Sequence, residues 1–285
     1  MSTIRYGTGE VRLVWRLLII ILLFVAVAVL LRFIPICLYT GFLAHNGVAR
    51  EDALARAKAT VFEDPAWSTV IGILNGLMSL PLAWLVVGVI ERRPFTWKTV
   101  GLDWRRSSLS ALACGALLAL VLYVLDKVVG LVLGASMPSV NAVLAGLSIP
   151  VFIQTFVLYV AMGFGEEVVF RGYVQTRLVE RYGIVRGVLV ASVTFTLLHI
   201  GFRPLPPVTI VSGVVLWAAV GALYHWSRSL YLVGMFHGMA NTLMNTFDLE
   251  GTDLGGLLLH ALVLLLVVVL ALRRSAAWRT GSNPT

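Results

Sequence analysis

Gly163-Phe164-Gly165-Glu166-Glu167-Val168-Val169-Phe170-Arg171-Gly172-Tyr173 closes an apolar run that begins near Ile149 and reads as membrane-embedded helix. Two adjacent carboxylates at the end of such a run need a reason to be there. An ionised side chain at the centre of a bilayer costs roughly 2.5 to 3.5 kcal/mol on insertion scales, so a pair persists only with partners or a task. Helical spacing separates the two glutamates. Glu167 and Arg171 are four residues apart on one face, acid before base, and can neutralise each other. Glu166 is turned by about 100 degrees and shares its face with Phe170 and Tyr173. It is the freer group, of the kind that serves as a general base or acid.

The surrounding chain fits a membrane. Of 285 residues, 59% are hydrophobic and 13% charged, and the mean hydropathy is +0.92. A soluble domain has no use for that much apolar surface, whereas a polytopic helix bundle faces both its core and lipid with it. The formal charge of +8 is spread over short flanks beside apolar runs and forms no continuous stripe. It therefore reads as a topology signal at the lipid surface and excludes nucleic acid as a partner. Cys37 and Cys114 lie in or beside apolar runs and support neither a disulfide framework nor a cysteine zinc site. The first apolar run is too long for a signal peptide core and lacks a small-residue cleavage pattern, so it reads as a retained span.

Eight apolar runs of about 20 residues follow one another, the length that a hydrocarbon core of about 30 Å demands. They cover Leu13 to Ile34, Trp67 to Ile90, Leu109 to Leu133, Ile149 to Val169, Val185 to Ile200, Val208 to Tyr224, Leu230 to Phe247 and Leu254 to Leu272. Basic residues fall at alternate connections: Arg5, Arg12 and Arg16; Arg92, Arg93, Lys98, Arg105 and Arg106; Arg177, Arg181 and Arg186; Arg228; and Arg273, Arg274 and Arg279. With eight alternating spans all of these lie on one side, so both termini are expected in the cytoplasm, and the chain is expected to be a multi-pass protein of the cell membrane. The opposite side receives Ala44 to Ala66, the uncharged Gly134 to Leu147, a short turn with Arg203 and the acidic Asp248 to Asp253. Ala49 to Ala59 reads as a solvated loop rather than a short helix. Val174, Leu178 and Tyr182 at helical spacing carry the fourth helix on to Gly183, which puts Glu166 near the middle of a long tilted helix. Three parts result: residues 1–147 with the first three spans, residues 148–247 with spans four to seven, and residues 248–285 with the last span and a tail.

Two further polar groups interrupt the apolar runs. Phe195-Thr196-Leu197-Leu198-His199 ends the fifth, and His237-Gly238-Met239-Ala240-Asn241 lies in the seventh. His237 and Asn241 share a face, in a segment whose small residues Gly234, Gly238 and Ala240 allow close helix packing. Taken singly, each group has a structural explanation: an interfacial charge, a hydrogen-bonded packing histidine, interhelical glue. Scattered in lipid, Glu166, Glu167, Arg171, His199, His237 and Asn241 would together cost on the order of 10 kcal/mol, comparable with the stability of many domains. They are therefore expected to converge. Carboxylates, imidazoles and an amide around a hydrated cavity can activate water and stabilise a tetrahedral oxyanion, the requirements of peptide hydrolysis. Glu166, His199 and His237 equally match a catalytic zinc set with an open position, though no His-Glu-x-x-His helix occurs.

The ordered set Glu166-Glu167-x-x-x-Arg171, Phe195-x-x-x-His199 and His237-x-x-x-Asn241 resembles the three motifs of the Abi family, also called the CPBP (CAAX protease and bacteriocin-processing) intramembrane proteases, which includes the type II CAAX prenyl endopeptidase. The resemblance covers about Ile149 to Phe247. It implies that Glu166 activates the attacking water, that His199 helps to hold that water, and that His237 and Asn241 form the oxyanion hole. Glu167 would orient the site with Arg171, and Phe195 and Tyr173 would support it. Both a metal-dependent and a metal-free glutamate mechanism are argued for the family, and the reading here leans to the metal-free one, with no cofactor required and zinc left open. The implied substrate is a peptide or lipidated protein at the membrane, such as the C-terminal tripeptide of a prenylated chain. A rival from another class is a non-proteolytic immunity or partner-binding protein on the same fold. An ion or proton transporter also uses intramembrane carboxylates, but no inverted repeat supports it.

Overall fold

The computed structural model describes residues 11–136, 147–200, 206–247 and 253–279. Helix makes up 86% of the structure and no strand occurs among the described residues, which fixes the class as all-α. In chain order the helices are α1 (Leu13–His45), α2 (Arg50–Glu63), α3 (Pro65–Trp84), α4 (Ser107–Val132), α5 (Ile149–Glu167), α6 (Thr176–Tyr182), α7 (Ile184–Leu197), α8 (Pro207–Ser227), α9 (Leu230–Phe247) and α10 (Asp253–Arg279). The expected connections around Gly134 to Leu147, Arg203 and Asp248 to Asp253 fall largely outside the described residues.

Among the described residues five helical stretches are long and apolar enough to cross a membrane: Leu13–His45, Pro65–Ile90, Ser107–Val132, Ile149–Tyr182 and Pro207–Ser227. The fifth expected span shortens to the 14 residues of α7, about 21 Å of helix at 1.5 Å per residue and less than a hydrocarbon core. The seventh, α9, keeps its expected limits but carries His237, Asn241 and Asn245 along its length.

Three elements differ from the sequence reading. Ala49 to Ala59 is not a loop but the first turns of α2, because Ala53, Ala57 and Val61 recur every four residues and bury one face; Ala57 and Val61 share a core with Ile36 and Ile71. α1 runs 11 residues beyond Ile34, through Pro35, to His45. Asp64 starts α3 two residues earlier than expected, its Oδ1 accepting from the backbone N–H groups of Ala66 at 2.8 Å and Trp67 at 3.1 Å, with Pro65 at the first helical position.

The fourth expected helix does continue to Tyr182, with a wider turn in the middle. Val168–Gln175 is π-helical, and the Thr176 hydroxyl donates to the carbonyl of Arg171, five residues back, at 2.9 Å. α3 widens in the same way over Leu85–Ile90, where the N–H of Glu91 donates to Val86 at 2.8 Å. Val86 and Val87 from one wide turn share a core with Val169, Phe170, Tyr173 and Val174 from the other. Wide turns of this kind are frequent at functional sites, where the extra residue re-aims side chains. α5 lies between α3 and α9, and α9 packs along α4 as well.

Candidate active site

The site exists because α5 and α9 touch through glycine. A β-carbon on Gly163 would stand 2.7 Å from the backbone nitrogen of Gly238, and one on Gly238 would stand 2.5 Å from the α-carbon of Val160. No larger residue fits at either position, and the small-residue segment expected to permit close packing does so. On the other side of α5, a β-carbon on Gly165 would stand 2.5 Å from the α-carbon of Gly76. The backbone carrying Glu166 and Glu167 is thus held between α3 and α9 without intervening side chains.

This approach brings His237 between the two carboxylates. Its Nδ1 is 3.0 Å from Glu167 Oε1, and because an ionised carboxylate only accepts, the imidazole is the donor. Its Nε2 faces Glu166 Oε2 at 3.7 Å. The Glu167 side chain is completely buried, whereas that of Glu166 is 14% exposed; only the second can meet solvent or substrate. Among the described residues Glu166 Oε2 has no hydrogen-bond partner.

Arg171 completes the charge balance. Its Nε is 3.2 Å from Glu167 Oε2, the expected pair four residues apart, and its Nη2 donates to the carbonyl of Trp217 at 3.3 Å. The guanidinium carbon lies 4.8 Å from the ring centre of Phe195 and 5.0 Å from that of Trp217, so a buried cation is stacked between two aromatic faces. The same rings enclose His237, at 5.8 Å from Phe195 and 4.6 Å from Trp217. Phe195 also meets Phe170 edge to face at 4.8 Å. Trp217 was not visible as a site residue in the sequence, where it is one aromatic in an apolar run.

The remaining expected residues stand at different distances from this core. His199 is half-buried; its Nδ1 lies 2.9 Å from the carbonyl of Phe195, and its ring packs on the Phe195 ring at 4.9 Å. It borders the site through Phe195 rather than through a glutamate. Asn241 is one turn beyond His237 on α9, half-buried, and its backbone carbonyl accepts from Asn245 at 2.8 Å. Tyr173 departs from the expected face. Seven residues return an α-helix to the same side, but the wide turn slips the register by about one residue, and the Tyr173 hydroxyl donates to Glu91 Oε1 at 2.7 Å instead.

Glu91 is a second buried carboxylate, with a side chain fully shielded from solvent. It accepts from Arg16 at 3.0 Å, from Tyr173, and from Arg177 at 3.1 and 2.7 Å. The start of α1, the end of α3 and α6 are therefore tied at one end of the bundle. Burial by itself would raise the Glu91 carboxyl, but the bonds from Arg177 and Tyr173 and the charges of Arg177 and Arg16 outweigh it and hold it below the usual carboxylate range.

Among the described residues no three His, Cys, Asp or Glu side chains, Glu166, His199 and His237 included, come together as ligands for one ion. No step below is routed through a metal.

Residues 148–243 match the family model described as Rce1-like, type II CAAX prenyl endopeptidase Rce1-like. The matched stretch contains the two glutamates, Arg171, Phe195, His199, His237 and Asn241. Neither the curated proteins nor the solved structures compared with the chain give a match.

Proposed function

We propose, from the premise that residues 148–243 form a domain of the Rce1-like protease family, that this multi-pass membrane protein is an intramembrane endopeptidase whose water-activating group is Glu166. One observation carries the reading: His237 bridges Glu167, a fully buried carboxylate that is also ion-paired with Arg171, and Glu166, whose side chain is partly exposed. Glu166 takes the proton of a water as its oxygen bonds to the scissile carbonyl carbon. The carbonyl oxygen, now an oxyanion, is stabilised by donors on α9, His237 and Asn241. The proton then passes to the leaving amine nitrogen as the carbon–nitrogen bond breaks. Glu167 and Arg171 hold the imidazole in place, and His199 and Phe195 line the approach.

The catalytic core in this reading is residues 148–247, flanked by residues 1–147 and 248–285, in a bundle of about eight spans with both termini in the cytoplasm and the site open to that side. Arg16, Arg93, Arg177 and Arg181 come to one end of the bundle, which supports the alternation behind that topology. The substrate class is a membrane-associated peptide, with a prenylated C-terminus as the first to try.

The test is cleavage of a peptide panel, prenylated and not, by purified full-length protein and its Glu166→Ala variant, with and without a chelator. Chelator-insensitive cleavage that disappears in the variant is expected. Cleavage retained by Glu166→Ala overturns the assignment, and no cleavage of any peptide favours a partner-binding protein on the same fold.

A further inference from the structure

A second polar site lies away from the glutamates, at the end of the bundle tied by Glu91. Leu13, Arg16, Arg93, Arg177, Glu180 and Arg181 line an open pocket of about 250 Å³. Four guanidiniums face Glu180 at the rim and Glu91 behind, an excess of two positive charges. Arg16 and Arg177 are fixed by Glu91, and Arg177 also pairs with Glu180 at 3.0 Å. Arg93 and Arg181 are exposed and make no ion pair among the described residues. The pocket thus has two oriented arginines in its wall and two uncommitted ones at its mouth.

Its surroundings set the depth. The pocket sits where α1 begins and α6 ends, beside exposed Trp15 and Tyr182, with exposed Val14, Leu18 and Val185 next to them. Aromatic residues with polar edges collect at the level of lipid headgroups, and apolar side chains below them meet acyl chains. Arginine matches a phosphate with paired N–H groups. Leu13 gives the wall an apolar patch for the carbon skeleton that a phosphate ester carries.

We propose that this pocket binds the phosphate of an anionic phospholipid headgroup and so fastens α1, α3 and α6 to one another at the membrane surface. Two sources offer the same chemistry, a lipid and free phosphate, and the apolar surroundings favour the lipid.

The experiment measures the thermal midpoint of the purified full-length protein in neutral detergent, titrated with short-chain phosphatidylglycerol, with phosphatidylcholine of equal chain length, or with inorganic phosphate. The midpoint is expected to rise and saturate with phosphatidylglycerol alone. In Arg93→Gln/Arg181→Gln the untreated midpoint should stay close to wild type, while apparent affinity for phosphatidylglycerol falls on the order of thirtyfold, as removing two basic residues from a lipid surface implies. Lys98→Gln/Arg106→Gln removes the same charge from exposed positions outside the pocket and should leave the affinity unchanged. Equal shifts with the two lipids, or loss of affinity in both double variants, would show surface charge without a site. An equal shift with inorganic phosphate would overturn the lipid assignment. The comparison of the two lipids on wild-type protein holds however the variants behave.

Discussion

Glu91 and Glu166 are both carboxylates at the end of an apolar helix, beside a π-helical turn and near arginine, yet they are built differently. Glu91 receives four hydrogen bonds from three side chains on two other segments, the start of α1 and the helix that carries Tyr173 and Arg177, and neither oxygen is left over. Glu166 has an imidazole nitrogen at 3.7 Å and an oxygen without a hydrogen-bond partner. A saturated buried carboxylate fixes geometry, because any movement loses several charge-assisted bonds at once. An unsaturated one can exchange a proton. Glu167 lies between the two cases, engaged by both Arg171 and His237.

The sharpest break of this contrast is Glu166→Gln. Cleavage of whichever peptide the wild type cuts should fall on the order of 10² to 10⁴-fold, with the thermal midpoint unchanged. Equal activity in wild type and variant would remove Glu166 from the chemistry. Glu91→Gln should do the reverse. It leaves Arg16 and Arg177 buried beside a neutral amide, so unfolding should become easier by about 3 kcal/mol, while turnover per folded molecule stays near wild type. A third variant, Arg171→Lys, keeps the charge but gives up the stack on Phe195 and Trp217 and the bond to the Trp217 carbonyl. We expect roughly a tenfold loss of activity, with Glu167 and His237 less well held. Full activity would mean that charge alone suffices.

The smallest expected effect is on pH dependence. Because folding lowers the Glu91 carboxyl below its unfolded value, its stabilisation is complete above the ordinary carboxylate range near pH 4.3 and is lost as pH falls through the folded value. The stability gap between wild type and Glu91→Gln should therefore be constant from neutral pH down to about 5 and close in stronger acid. A gap that persists at the lowest pH tolerated by the protein would mean that the Glu91 charge is not its source.

The stability role of Glu91 was not visible in the sequence, where it is one acid among the flanking arginines Arg92 and Arg93. Its partners Arg16, Tyr173 and Arg177 are 75, 82 and 86 residues away, and no local spacing announces them. Glu167 with Arg171 is the opposite case, since four residues on a helix bring acid and base together whatever the neighbours do. His237 and Asn241 were likewise legible as a shared face, but not which carboxylate the imidazole would meet. The misreading of Ala49 to Ala59 has a plain cause: alanines are too small to announce a buried face until α1 supplies the surface they cover.

By itself, the sequence determined what periodicity and solvation govern: apolar helices throughout, a long helix centred on Glu166, and polar groups too costly to leave in lipid. The tertiary structure decided what depends on helices far apart in the chain. Gly163 against Gly238 sets the distance from Glu167 to His237. The wide turn after Glu167 sends Tyr173 to Glu91 instead of along the face of Glu166. Both turn on contacts of a few ångströms between separate helices, which hydrophobic patterning leaves free and close packing fixes.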